Sequence, residues 1–508
     1  MSRRMLRALG VITFLLVVAH ADADVKMHVL FKSHMVLQRD MKTPVWGTAA
    51  PGEKVTVKIA GQTVTAAADA EGAWQVRLAP MKAGGPHRMT VAANGKDQVW
   101  LTDVLVGDVW LCGGQSNMSM AVYSSKDAKK EMASANYEQI RFLRMPRGDA
   151  DVPQKSLPWA VWWKCTPKSA GSFSAVGYFF GRRLHNELKV PIGLIMCEWG
   201  GTAAEAWTGM DALKREPAFR QMLAGWDAHI KAVTPEAKAA YEKAYAAYRK
   251  ARADGKRASR PKKPKGLSVN RPAALYNFMV HPLMPYGLKG VIWYQGEDNA
   301  WNDARALQYR KLLPTLIACW RDGWGQGDFP FLIVQLANYM AVKPQPSDSS
   351  WALCREAQAM TAKNVPNCGL AVAIDCGEAK NIHPKNKQDV GTRLALTALA
   401  RVYGRDVVYS GPVYLAMKVQ GATVRISFKH IGGGIIIKGG EPLKGFAVAG
   451  ADKKFVWADA KIDGDAVVLS AKDVPKPVAV RYAWANNPVC NLYNKEGLPA
   501  VPFRTDDW

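Results

Sequence analysis

The chain has 508 residues, of which 48% are hydrophobic and 22% charged, and its formal net charge is +25 at pH 7. This composition is typical of a soluble globular protein, and the length is too great for one core, so we expect two to four domains. A basic protein attracts acidic partners such as nucleic acid or anionic polysaccharide. The sequence has no nucleic-acid-binding motif, and much of the charge lies in residues 243–265, so we expect no nucleic-acid partner.

The first residues have the pattern of a secretory signal peptide. Arginines at positions 3, 4 and 7 precede an apolar stretch at residues 9–19, and residues 21–23 offer a small-x-small cleavage site. The apolar stretch is too short to span a membrane as a helix, and no cysteine follows the cleavage site. We therefore predict that residues 1–23 are removed and that the protein is exported, to the periplasm or out of the cell, without a membrane span.

Residues 24–106 have the pattern of a small antiparallel β domain. Turn residues such as Pro51 and Gly52 separate the alternating runs VTVKIA, TVTAAA and WQVRL. From residue 107 to about residue 405, short apolar runs such as VWLCG, GVIWY and FLIVQLA alternate with helical stretches, which include residues 178–188, 309–320 and 390–403. Buried parallel strands between helices predict a three-layer α/β domain.

Residues 233–270 interrupt the α/β pattern. They predict a helix over residues 235–252 followed by the basic loop RPKKPKG, which we interpret as a surface insertion, with a lid or polymer-binding arm as the alternative. Residues 406–508 alternate between glycine-rich turns and predict a C-terminal β-sandwich-like domain. The eight cysteines have no metal-site spacing, so we expect no zinc site, whereas an exported protein allows one or two disulfides.

Small polar clusters follow the apolar strands of the α/β domain, at the edge where ligands bind in open α/β sheets. The first cluster, GGQSN, contains Ser116, whose hydroxyl can act as a nucleophile if a base lies beside it. A serine among glycines is by itself far more often a turn residue. In the second cluster, Gly200 and Gly201 let backbone N–H groups approach a ligand, where they can donate to an oxyanion.

The third and fourth clusters supply amides and a base. QGEDN at residues 295–299 offers side-chain amides that stay neutral while they donate to developing charge. Its acidic residues, Glu297 and Asp298, suit capping of the next helix equally well. The fourth cluster, NIHP, contains His383, which can serve as the general base for a serine. We interpret His281, in MVHPLMPYG, as structural.

The four clusters occur in the order that is found in a known family. The stretches that carry the resemblance are GDVWLCGGQSNM, IGLIMCEWGGTAAEAW, GVIWYQGEDNA and IHPKNKQDVG. They resemble the sialate O-acetylesterases, a branch of the SGNH/GDSL hydrolases, and MVLQRDMKTPVWGTAAPGEKV and NLYNKEGLPAVPFRTDDW extend the resemblance to both ends of the mature chain. It implies a three-layer SGNH-hydrolase (flavodoxin-like) domain with a parallel sheet, flanked by N-terminal and C-terminal β domains.

The resemblance also implies a role for each residue. Ser116 is the nucleophile and His383 its general base, and the N–H groups of Ser116 and of the Gly200–Gly201 turn form an oxyanion hole with the side chain of Asn299. Their polar neighbours are expected to contact the substrate: Gln115, Asn117, Gln295 and Glu297. The implied reaction is hydrolysis of an acetyl ester on a sugar hydroxyl, without a metal or organic cofactor. The expected partner is an acetylated carbohydrate, and the basic chain would suit a carbohydrate with anionic groups.

One position departs from the family pattern. Many relatives have an aspartate two residues before the histidine, where this chain has Asn381. In serine proteases the matching change of aspartate to asparagine costs about 10⁴ in rate. Three interpretations stay open: a Ser–His dyad, a carboxylate supplied by Asp375 or Glu378, or weak or lost activity in a glycan-binding protein on an esterase scaffold. The joint presence of Ser116, the glycine turn, Asn299 and His383 favours the enzyme.

Overall fold

The computed structural model describes residues 24–508, so the predicted signal peptide lies outside the described residues. Within this range no helix is both long and apolar enough to cross a membrane. The N-terminal part consists of short, mostly antiparallel strands with alternating buried and exposed side chains: β1 (Lys26–Met27), β2 (Val36–Gln38), β3 (Thr43–Thr48), β4 (Lys54–Ile59), β5 (Gln62–Ala67), β6 (Ala73–Leu78) and β7 (Gly84–Ala93).

A single 19-residue strand, β8 (Lys96–Gly114), joins this part to the α/β domain. Its first half pairs with β7 and its last residues pair with strands of the α/β sheet. The predicted boundary at residue 106 therefore falls inside a continuous strand, and the two parts share one hydrophobic core.

The α/β sheet is mainly parallel. Its further strands are β9 (Tyr137–Arg144), β10 (Val161–Cys165), β11 (Ile192–Glu198), β12 (Gly290–Tyr294), β13 (Phe331–Val334) and β14 (Cys368–Ala371). The order is β10-β9-β11-β8-β12-β13-β14, and only the edge strand β10 is antiparallel to its neighbour. From β11 to β14 the strands follow the chain order 2-1-3-4-5, which is the flavodoxin-like order.

Helices cover both faces of this sheet. The α-helices are α1 (Ser116–Ser119), α2 (Ala128–Ala133), α3 (Pro167–Gly171), α4 (Ala175–Leu188), α5 (Met210–Arg215), α6 (Arg220–Lys231), α7 (Pro235–Ala253), α8 (Asp303–Trp324), α9 (Ser350–Asn364) and α10 (Lys387–Arg401). Helices α4 and α10 pack together on one face, and α8 and α9 pack together on the other. The prediction of a sheet between two helical layers is confirmed.

Short helical turns fill several connections. Six are 3₁₀ turns, at Val122–Ser124, Ala204–Trp207, Pro217–Phe219, Lys265–Leu267, His281–Leu283 and Glu297–Asn299, and Tyr276–Val280 is a π-helical turn. The predicted helix of the basic insertion is α7, which buries none of its side chains and begins at the cap Thr234. Helix α7 therefore lies on the surface. All eight cysteines are free thiols in the described residues.

The C-terminal domain is a sandwich of two four-stranded sheets and a two-stranded one. Its strands are β15 (Val413–Gln420), β16 (Thr423–Lys429), β17 (Ile435–Ile437), β18 (Phe446–Ala449), β19 (Phe455–Trp457), β20 (Asp459–Asp463), β21 (Ala466–Ser470), β22 (Ala479–Tyr482), β23 (Leu492–Asn494) and β24 (Phe503–Arg504). The sheets β15-β16-β21-β20 and β19-β18-β22-β24 bury a second core, separate from the first. The predicted C-terminal β domain is confirmed.

Arg355 of α9 joins the C-terminal domain to the α/β domain. This wholly buried guanidinium donates to four backbone carbonyls, those of Leu336 (2.8 Å) and Ala337 (3.0 Å) after β13 and those of Ala485 (2.6 Å) and Asn486 (2.8 Å) in the C-terminal domain. Burial lowers the pKa of Arg355 to about 9. Because a buried carbonyl without a donor is costly, this one side chain holds two loops in place.

We expect Arg355→Met to lower the free energy of unfolding by about 3 kcal/mol or more, because it leaves the four carbonyls without donors. Urea unfolding followed by tryptophan fluorescence measures the change. The control is Arg425→Met, which breaks an exposed ion pair with Asp463 and should cost no more than about 1 kcal/mol. Equal losses in the two variants would contradict the role given to Arg355.

Candidate active site

The four predicted clusters lie along one edge of the α/β sheet. Ser116 follows β8, Gly200 follows β11, Asn299 follows β12, and His383 lies on the long loop between β14 and α10. Since these strands are parallel neighbours or near neighbours, their carboxyl ends open onto the same crevice. The sheet therefore brings together residues that are far apart in the sequence.

Ser116 is partly exposed, whereas its neighbours Gln115 and Asn117 are buried. It is the first residue of the short helix α1, so its N–H has no acceptor within that helix. Gly200 lies directly against it: a Cβ at position 200 would be 3.1 Å from Ser116 Cβ and 3.8 Å from Ser116 N. Any larger residue at position 200 would crowd the serine.

Gly200 is thus packed against the turn that carries Ser116. Gly200 lies outside the regular elements, and its N–H has no acceptor among the described residues. Gly201 adopts a left-handed conformation with φ of 70°, which turns the chain away after Gly200. In residues 24–508 the backbone N–H groups of Ser116 and Gly200 are thus both without an acceptor.

Asn299 is buried and held on three sides. Its Oδ1 accepts from Ala204 N (3.0 Å) and from Gln295 Nε2 (2.7 Å), and its Nδ2 donates to Glu205 Oε2 (3.0 Å). Arg305 in turn donates to the other oxygen of Glu205 at 3.0 Å. An asparagine amide has two N–H bonds, so one remains for a ligand.

The four residues expected to contact substrate are all buried: Gln115, Asn117, Gln295 and Glu297. Gln115 Oε1 accepts from Asp298 N (3.3 Å), and Gln295 Nε2 donates to Thr202 O (3.1 Å) as well as to Asn299. Their hydrogen bonds run within the protein, which places these side chains beneath the crevice, where they hold its loops together.

Asn117 is the central connection of this site. Its Nδ2 donates to the carbonyl of Ile382 (2.9 Å), the residue before His383, and to Glu297 Oε1 (2.5 Å). Its Oδ1 accepts from Lys387 Nζ at 2.6 Å. One side chain next to Ser116 therefore fixes the loop that carries His383, as well as the loop after β12.

Lys387 and Glu297 are buried titratable groups that the sequence analysis did not pair. Burial lowers the pKa of Lys387 to about 8, and its amine lies 5.3 Å from the ring centre of Tyr294. Burial also raises the pKa of Glu297, and Glu297 Oε2 has no hydrogen-bond partner among the described residues. Lys387 is the first residue of α10, where the helix dipole disfavours a cation. A lysine at the start of a predicted helix is therefore the sequence feature that could have indicated an unusual role for this residue.

His383 is half-buried, and both burial and the nearby charge of Lys387 lower its pKa. Asn381 does not orient the ring: its Oδ1 accepts from His383 N (3.0 Å), and its Nδ2 donates to His383 O (2.9 Å) and Glu378 Oε2 (3.2 Å). In the described residues neither ring nitrogen of His383 has a hydrogen-bond partner, nor does Ser116 Oγ. The site holds an imidazole that favours its neutral form.

The two alternative carboxylates are engaged elsewhere. Asp375 pairs with Arg393 through bonds of 2.6 and 2.8 Å and accepts from Tyr493 OH at 2.9 Å. Glu378 accepts from the backbone N–H of Lys385 (2.8 Å) and from Asn381. His281, interpreted as structural, bonds through Nδ1 to the Gln154 carbonyl at 2.8 Å. No group of three or more potential ligands in residues 24–508 is arranged to hold a metal ion.

Comparison with known proteins gives the class of the site. The model of the family "Carbohydrate esterase, sialic acid-specific acetylesterase" matches residues 106–240 and 268–400, on either side of the basic part of the insertion. The chain is 32% identical over 541 residues to the sialate O-acetylesterase of Mus musculus, with 96% of each chain covered. It is 31% identical over 515 residues to that of Homo sapiens, covering 92% of this chain and 90% of the relative.

A solved structure agrees with this similarity. The crystal structure of a carbohydrate acetylesterase from Xanthomonas citri has 39% sequence identity and a TM-score of 0.82, covering 95% of this chain and 100% of that chain. The protein is therefore a carboxylic-ester hydrolase. It belongs to the carbohydrate esterase family of the sialic acid-specific acetylesterases, which act on acetyl esters of sugars, and the resemblance seen in its sequence is confirmed.

Burial and, to a smaller extent, the positive charge of Lys387 lower the pKa of His383. Because that charge disfavours the imidazolium, we expect Lys387→Met to raise the pKa of His383 toward its ordinary value of 6.5. Titration of the ring by NMR, with the signal assigned through His383→Gln, measures the shift. Lys385→Met, an exposed change on the same loop, is the control and should shift the pKa less. A His383 pKa that stays or falls in Lys387→Met would contradict this electrostatic role.

Proposed function

We propose that the protein cleaves acetyl esters through a serine acyl-enzyme, with Ser116 as nucleophile and His383 as general base. The observation that carries the proposal is the hydrogen bond from Asn117 to the backbone before His383. Its side chain bonds to Ile382 O at 2.9 Å, so that the residues next to Ser116 and His383 are joined directly. A nucleophile and a base have to be neighbours for this chemistry.

The proposed reaction begins when Ser116 Oγ attacks the acetyl carbonyl carbon while His383 takes the hydroxyl proton. The carbonyl oxygen becomes an oxyanion that faces the N–H groups of Ser116 and Gly200 and the remaining N–H of Asn299. The sugar oxygen then leaves with the proton from His383, and the acetyl group stays on Ser116. Water, deprotonated by His383, attacks this ester, and acetate departs as Ser116 Oγ regains its proton.

Of the three interpretations of Asn381, the contacts favour the Ser–His dyad. Arg393 and Tyr493 hold Asp375, and Glu378 is bonded to backbone and to Asn381. Asn381 fixes the backbone of His383 rather than the ring. Lys387 and burial keep the imidazole neutral, the form in which it accepts a proton.

The proposed substrate is an acetylated carbohydrate, as in the relatives named sialate O-acetylesterase and the carbohydrate acetylesterase from Xanthomonas citri. The net charge of +25 would favour a glycan with anionic groups. The arginines and the apolar stretch in residues 1–23 support export, to the periplasm or out of the cell. The strand order supports membership of the SGNH hydrolases.

Replacement of the nucleophile tests the mechanism. We expect Ser116→Ala to lower kcat for acetate release by about 10³-fold or more, because the acyl-enzyme cannot form. Release is measured with 4-nitrophenyl acetate and with acetylated glycans. Ser134→Ala, an exposed serine at the end of α2, is the control and should keep full activity. Equal rates for wild type and Ser116→Ala would refute the proposed nucleophile.

Asn381→Asp tests the dyad. A carboxylate at position 381 would face His383 O and Glu378 Oε2 without a hydrogen to donate, where Asn381 Nδ2 now bonds at 2.9 and 3.2 Å. We therefore expect kcat/KM to fall by about tenfold or more, the cost of two lost hydrogen bonds. The same acetate assay measures it. A gain of a hundredfold would show instead that a missing carboxylate limits the reaction.

A further inference from the structure

A cavity of about 840 Å³ lies between the loop after β13 and the C-terminal sandwich. Its lining comes from residues 342–345 of that loop and from several segments of the C-terminal domain, with Trp457 and Asn487 among them. This volume is within the range of small-molecule sites in proteins. The catalytic steps proposed for Ser116 and His383 make no use of it.

Trp457 presents a fixed aromatic face in this cavity. It ends β19, an edge strand of its sheet, and is 42% exposed. Its indole N–H donates to Pro344 O at 2.8 Å, which sets the plane of the ring across the two domains. The C–H face of a sugar ring is flat and apolar and packs well on such an indole.

The polar groups of the cavity suit hydroxyl groups. Three amines line it, those of Lys343, Lys444 and Lys461, and two carboxylates do so as well, those of Glu441 and Asp459. The ion pairs within residues 24–508 include none of these five side chains. Because a hydroxyl both donates and accepts, a mixture of amines and carboxylates fits a polyhydroxylated ligand better than a simple anion.

A chain of contacts connects the cavity with the His383 loop. Asn338 Oδ1 accepts from Gly377 N (2.7 Å) at the start of that loop, and Asn338 Nδ2 donates to Asn487 Oδ1 (2.7 Å). Asn487 lines the cavity and donates to Met340 O at 2.7 Å, which steadies a residue with a left-handed φ of 74°. The loop after β13 therefore runs from the catalytic loop to the cavity.

We propose that this cavity binds a further segment of the glycan chain, with a sugar ring stacked on Trp457. The C-terminal domain would then hold the polymer while its acetyl group is cleaved at Ser116. The identity of the ligand rests on the proposed function, whereas the binding itself does not require turnover.

Binding is measured by calorimetry in the Ser116→Ala background, so that no acetyl group is lost. The probes are acetylated xylan oligosaccharides and oligomers of acetylated sialic acid. We expect Trp457→Ala to weaken binding of at least one probe tenfold or more and Trp457→Phe, which keeps an aromatic face, to weaken it less. Trp100→Ala is the matched control, because Trp100 is 56% exposed in the N-terminal part and should be neutral.

Activity provides the second readout. With Ser116 intact, we expect Trp457→Ala to leave kcat/KM for 4-nitrophenyl acetate unchanged and to raise KM for the polymer. The proposal is overturned if Trp457→Ala binds every probe as tightly as the parent protein, or if it lowers activity on both substrates equally. Loss of acetate release in Ser116→Ala together with unchanged binding in Trp457→Ala would refute the cavity's role alone and leave the esterase mechanism standing.

Discussion

The active site depends on one buried side chain, Asn117. It lies between the ammonium of Lys387 and the carboxyl of Glu297, and it bonds to the backbone before His383. Burial of an ammonium group costs free energy unless its N–H groups have acceptors. The contacts that offset this cost for Lys387 form only when the serine turn, the loop after β12 and the histidine loop come together. The site therefore assembles at the same time as this charge is buried, although Asn117 and Lys387 are 270 positions apart in the sequence.

The same arrangement determines how charge is stabilised during the reaction. Among the described residues no carboxylate is hydrogen-bonded to the His383 ring, and burial and the charge of Lys387 disfavour the imidazolium. In serine proteases the loss of the supporting aspartate costs about 10⁴, which is roughly 5.5 kcal/mol. A single oxyanion donor contributes about 2.7–4 kcal/mol. Under the proposed mechanism the N–H groups of Ser116 and Gly200 and the amide of Asn299 would therefore together contribute more than the missing aspartate.

The sequence predicted the elements of the site better than their roles. Parallel strands share an edge, so polar clusters after several strands identified the crevice that holds Ser116 and His383. Burial could not be read from the same clusters: Gln295 and Glu297 are polar residues of the kind that is usually exposed, but tertiary contacts bury them. The continuity of β8 could not be read from the sequence either: Gly107 lies inside this strand, where a Cβ would be 2.1 Å from Pro191 O.

The C-terminal domain takes part in the electrostatics of the site although it lies outside the sheet. Tyr493 of β23 donates to Asp375, and Arg393 of α10 neutralises the same carboxylate. Asp375 is the aspartate of the loop that precedes His383. Burial raises its pKa, but Arg393 and Tyr493 lower it by more, so that the net shift is downward. Three hydrogen bonds from Arg393 and Tyr493 hold this carboxylate in place, and none joins it to His383 among the described residues. Under the proposed mechanism the C-terminal domain would thus help to leave His383 without an acid partner, because Tyr493 engages Asp375.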